Sequence, residues 1–71
     1  MGTTPQIVSR FAKRVRELRD RKGISQERLG EMAGLHRTYI GMLERAEKNI
    51  TLVNLEKVAK ALGVRPSSLI D

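Results

Sequence analysis

The chain reads as a single all-α domain, residues 1–71, built from five helices. Three observations predict this. Apolar residues recur at steps of three and four along most of the chain. Glycines stand where each long apolar stripe runs out, at Gly23, Gly34 and Gly63. No segment alternates with period two over four or more residues, so no strand is expected.

The first helix is expected over about Thr3 to Lys22. Ile7, Phe11, Val15 and Leu18 form one stripe on a 3.6-residue repeat. Thr3 and Gln6 have the spacing of a capping box; alternatively Thr4 caps and Pro5 takes the first helical position. Ser25 is a good cap for the second helix, which ends at Gly34, with Leu29, Met32 and Ala33 inward. A third starts near His36 or Arg37 and runs to about Arg45, with Ile40 and Leu43 inward. After a loop from Ala46 to Ile50, Thr51 caps a fourth, whose stripe is Leu52, Leu55, Ala59 and Leu62. Pro66 and the Ser67–Ser68 pair open a last short turn carrying Leu69 and Ile70.

Composition narrows the function. The 71 residues carry 14 Lys and Arg against 8 Asp and Glu, a net charge of +6. That balance favours a polyanionic partner, nucleic acid ahead of a membrane surface. One Phe, one Tyr and no Trp argue against a stacking platform for single strands or RNA loops. With no cysteine there is neither a disulfide nor a thiolate metal site, and His36, the one histidine, has no ligand partners. No serine or threonine stands in a recognisable pattern with a base, and Glu27 and Glu31 are most simply a solvated helix face. No enzyme, cofactor, metal or small-molecule ligand is therefore expected. No apolar run approaches the roughly 20 residues of a membrane span, and the start lacks a signal-peptide layout. A cytoplasmic protein is the expectation.

The sharpest pattern is Gln26–Arg45, Q-E-R-L-G-E-M-A-G-L-H-R-T-Y-I-G-M-L-E-R. Two helices meeting steeply through a tight turn need a small fifth residue, a turn-forming ninth and an apolar, often β-branched fifteenth. Gly30, Gly34 and Ile40 occupy those places, with Leu29, Ala33, Leu35 and Leu43 filling the other inward ones.

That stretch resembles the helix-turn-helix of the Cro and phage-repressor (XRE-type) family. More narrowly, His36–Arg45 together with N-I-T-L-V-N-L-E-K-V-A-K-A-L-G-V at Asn49–Val64 resembles the controller proteins of restriction–modification systems. The resemblance spans nearly the whole chain. It implies a lambda-repressor-like domain with the motif on the second and third helices. It also implies a transcription regulator that binds double-stranded operator DNA and controls restriction–modification genes, its own included. An antitoxin or phage-type repressor is the alternative within that class. From another class, a protein-interaction module without DNA binding is disfavoured by Arg37, Thr38, Arg45 and Lys48.

If the third helix enters the major groove, Arg37, Thr38, Tyr39 and Met42 are the expected base readers. Arg37 leads, because an arginine can bond guanine O6 and N7 together, and in controller proteins the Arg-Thr-Tyr segment reads the operator. Thr38 can offer a hydroxyl or a methyl group, and Tyr39 can reach a phosphate or sense groove shape. Met42 makes only apolar contact and departs from the Gln that many phage repressors place there. Gln26, His36, Arg45, Lys48 and Asn49 are the expected phosphate contacts. Arg19 and Glu44 fall at the inward edges of their helices, and family repressors carry an Arg and a Glu at the matching positions. A structural ion pair between them is expected.

A domain of this size favours oligomerisation for support. Val64, Pro66, Leu69 and Ile70 form an apolar end away from the motif, expected to be a homodimer interface over residues 64–71. Leu69 and Ile70 could instead simply cover the bottom of the core. A two-fold dimer would read a pseudo-palindromic operator, with RNA polymerase as a further partner. The charge itself is unevenly spread. Residues 1–22 carry +5, residues 23–51 are neutral and residues 52–71 carry +1.

Overall fold

The computed structural model describes residues 4–71. It contains α1 (Gln6–Lys22), α2 (Gln26–Ala33), α3 (Arg37–Glu44), α4 (Leu52–Leu62) and α5 (Ser67–Ile70). α1 packs on α3, α4 and α5, while α2 packs on α3 and α4. Phe11, Val15, Leu29, Ile40, Leu43, Leu55, Val58, Ala59, Leu62 and Leu69 close one core between them.

Side-chain caps start three of the helices. Ser25 Oγ accepts from the Arg28 N–H at 3.0 Å, and Thr51 Oγ1 from the Asn54 N–H at 3.1 Å. His36 Nδ1 accepts from the Thr38 N–H at 3.0 Å, an imidazole serving where Ser or Asp is commoner. α1 begins differently from either expectation. Pro5 is its N-cap, with no side-chain cap bond, and its carbonyl accepts from Val8 and Ser9. Thr4 therefore does not cap, and the Thr3–Gln6 box lies outside the described residues.

The α2–α3 turn depends on its two glycines. Gly34 sits at φ +70°, a left-handed conformation that a Cβ disfavours. Leu35 N–H then donates back to the Gly30 carbonyl at 2.8 Å. A Cβ on Gly30 would stand 2.5 Å from the Leu35 carbonyl oxygen and 3.3 Å from Arg37 N. A side chain at position 30 would thus force the Leu35 carbonyl and the turn to shift.

Three residues expected inside are outside. Met32 is 42% exposed and lies beside Ala33, Lys57, Lys60 and Ala61. α2 buries Leu29, Gly30 and Ala33, and Met32 falls on the edge of that face. Ile7 is 47% exposed and Leu52 83%. Each belongs to the first turn of its helix, one turn before the first residue that reaches the core, Phe11 in α1 and Leu55 in α4. The stripes continue past the end of the core. Together with Val8, Ile50 and Ile70 they line an open apolar recess of about 290 Å³.

Candidate nucleic-acid interface

α3 has two unlike sides. Ile40, Leu43 and Glu44 are buried, while Arg37 and Thr38 in its first turn are exposed. Tyr39 and Met42 are half-buried. Arg45, the C-cap, is exposed.

A charged cluster fixes this orientation. Glu44 is only 2% exposed. Its Oε2 accepts from Arg19 Nε at 2.6 Å, and its Oε1 from Arg19 Nη2 at 3.0 Å and Gln26 Nε2 at 3.1 Å. Arg19 Nη1 also donates to the Ile24 carbonyl at 2.9 Å, and Arg16 Nη1 to the Glu44 carbonyl at 3.0 Å. α1, α2 and α3 are joined at one carboxylate. A bidentate arginine fork is among the strongest ways to hold one. The hydrogen bonds that Arg19 donates to Glu44 raise the Arg19 pKa above its ordinary value, against the opposing effect of burial. Among the described residues no buried side-chain nitrogen or oxygen lacks a partner.

The exposed Arg37 and Arg45 are paired as well. Arg37 Nη1 donates to Glu27 Oε2 at 2.8 Å, bridging α3 to α2. Arg45 donates through Nε and Nη2 to the two carboxylate oxygens of Glu47, at 2.9 and 3.1 Å. These bonds hold the Glu47 carboxyl below its usual range. Neither glutamate stands out in the sequence as part of the interface. The one signal that pointed to them was the neutral total of residues 23–51.

The structure brings Ser25, Gln26, Glu27, Arg37, Thr38, Gly41 and Arg45 around one open concavity. Gln26 lines it half-buried, with its side-chain nitrogen committed to Glu44. Gly41 is buried, under the Arg45 guanidinium and the Gln26 carbonyl, which stand 3.1 and 3.5 Å from the place of its Cβ. His36 accepts at Nδ1, which leaves its Nε2–H to donate. Tyr39 packs against the core, and its hydroxyl accepts from Asn54 Nδ2 at 3.1 Å, tying α3 to α4. Lys48 and Asn49 are exposed in the loop after α3.

Ala46, in that loop, adopts φ +59°. The turn is a Schellman motif, with Ala46 N–H on the Leu43 carbonyl and Glu47 N–H on the Met42 carbonyl at 3.1 and 2.9 Å. Alanine stands where such turns usually place glycine.

At the far end of the molecule the expected apolar surface is only partly there. Leu69 is 1% exposed and belongs to the core, so it cannot face a partner. α5 is clamped to α1, with Arg14 Nε on the Ser68 carbonyl at 3.0 Å, and that contact closes the core over Leu69. Val64 and Ile70 are half-buried, and Pro66 is exposed.

A family model described as helix-turn-helix matches residues 15–69. The chain belongs to the helix-turn-helix family. Among curated relatives it is similar to the control protein C.BamHI of Bacillus amyloliquefaciens, 47% identical over 62 residues, covering 86% of this chain and 76% of that protein. The control protein C.SmaI of Serratia marcescens is 49% identical over 60 residues, covering 84% and 71%. Among solved structures, the restriction-modification controller protein C.AhdI from Aeromonas hydrophila superposes with a TM-score of 0.87 at 45% identity, covering 92% of this chain and 98% of that one. The P22 c2 repressor, solved with a synthetic operator, superposes at 0.82 with 33% identity, covering 86% and 92%. Among the described residues no helix is long and apolar enough to cross a membrane.

Proposed function

We propose that this protein is a sequence-specific DNA-binding transcription regulator of the controller type. It acts as a homodimer on a pseudo-palindromic operator and governs restriction–modification genes, its own included. The observation that carries this reading is the two-sidedness of α3. The buried Arg19–Glu44 fork fixes the helix on the scaffold and leaves Arg37 and Thr38 exposed at its leading end.

In this reading Arg37 bonds a guanine edge, and Thr38 and Met42 contact neighbouring bases. Tyr39, held by Asn54, lends its hydroxyl to a phosphate. The helix-start amides at Gln26, the His36 Nε2–H, and Arg45, Lys48 and Asn49 grip the backbone on either side. The dimer surface shifts from the expected one. The open recess of Ile7, Ile50, Leu52 and Ile70, next to the exposed Val53, supports the interface better than the buried Leu69 does. RNA polymerase is the further partner. Three controller proteins, C.BamHI, C.SmaI and C.AhdI, at 45–49% identity, support this reading above that of a phage repressor, at 33–37%.

The test is binding to the duplex upstream of the protein's own gene, followed against salt. Affinity for that duplex should exceed affinity for a scrambled one by at least about a thousandfold. It should fall steeply as salt rises, because phosphate contacts release counterions. Equal affinity for both duplexes would overturn the proposal.

A further inference from the structure

Glu27 and Glu47 are the wrong residues for a surface that meets DNA. Both are more than half exposed, and each engages an arginine expected to touch the duplex, Arg37 and Arg45. Neither pair holds the fold together to any useful extent, since ion pairs this exposed contribute little to stability. Nor are they accidents of one flexible surface chain. Glu27 reaches Arg37 across two helices, and Glu47 meets Arg45 twice, around the left-handed Ala46. Without these two glutamates residues 23–51 would carry +2; with them, alongside Glu31 and Glu44, the segment is neutral.

We propose that Glu27 is a specificity determinant and Glu47 its affinity-setting counterpart: internal counterions that occupy Arg37 and Arg45 until DNA replaces them. Binding to arbitrary DNA is almost wholly electrostatic and scales with the number of phosphates neutralised. A phosphate offers Arg37 little that the carboxylate does not already supply, and it must also approach that carboxylate. A guanine edge offers Arg37 two aligned neutral acceptors and brings the shape-dependent contacts of α3 with it. Glu27 therefore weakens arbitrary DNA more than the operator, while Glu47 weakens a phosphate contact common to both. This rests on the reading of Arg37 as a base reader.

The experiment compares wild type, Glu27→Gln, Glu47→Gln and the double variant on two duplexes, each too short for more than one dimer. One carries the upstream site and the other a scrambled sequence. For the double variant, affinity for the scrambled duplex should rise on the order of tenfold at low salt. Its log–log salt slope should steepen by about 0.9 per carboxylate removed. Affinity for the upstream site should rise less, so the ratio between the two falls. Unchanged affinity and slope on the scrambled duplex would overturn the proposal, as would an equal rise on both. Arg37→Ala in the wild-type background separates the two readings. If it leaves base preference intact, the base-reading assignment fails, whatever the glutamine variants do. Unfolding temperatures within a few degrees of wild type confirm that the variants compare folded proteins.

Discussion

Arg19–Glu44 and Arg37–Glu27 are both arginine–glutamate pairs that join two helices, at 2.6 and 2.8 Å. In the first, Glu44 is 2% exposed and Arg19 15%, and the carboxylate is shared with Gln26. The second stands open to solvent. Removing one partner of a buried pair strands the other without water or a counterion, so such a pair is costly to break. An exposed pair exchanges freely with water, salt or a DNA group. Within one small domain, the same two residue types thus do opposite work. One pair fixes where α3 points, and the other leaves what α3 touches open to exchange.

The comparison is most easily broken at Glu44. Glu44→Ala should destabilise the protein by about 3–5 kcal/mol, measured by denaturant unfolding. Glu27→Ala should leave the midpoint where it is. Equal losses would mean that burial does not separate the two pairs.

The apolar residues sharpen the same contrast. Leu69→Ala should cost about 2–5 kcal/mol, because a buried side chain leaves a cavity. Leu52→Glu should hardly alter the stability of the monomer, yet it should raise the dissociation constant of the proposed dimer, read by sedimentation. Gly30→Ala tests the turn between the two kinds of surface. The Leu35 carbonyl stands in the way of a Cβ, and about 1–3 kcal/mol is the expected loss. The smallest effect is a gain. Ala46→Gly relieves a left-handed alanine and should stabilise by about 1 kcal/mol.

Much of the fold was legible in the sequence because its determinants are local. Ser25 and Thr51 cap the helices they precede, and Gly34 takes the left-handed turn. Gly30 and Ile40 lie where a helix-turn-helix needs a small and a branched residue. Periodicity also put Arg19 and Glu44 at inward edges of their helices. What it cannot reveal is where a core ends. Ile7 and Leu52 obey the stripe yet overrun the packing partners, and Met32 misses the buried face of α2 by a fraction of a turn. Spacing leaves open whether Leu69 faces a partner or the core, because nothing in a four-residue helix says which neighbour covers it; α1 does. The Glu27–Arg37 bridge depends on how two helices cross, a quantity that spacing along one helix does not contain.

The central claim is that α3 reads sequence through Arg37 while the buried fork aims it. Selection of bound duplexes from a randomised pool tests this directly, run in parallel on wild type and Arg37→Ala. Wild type should enrich a pseudo-palindrome with a strongly preferred guanine in each half. Arg37→Ala, equally folded, should lose that guanine preference while keeping the rest of the pattern. Recovery of the same pattern with the same guanines by both proteins would contradict the account.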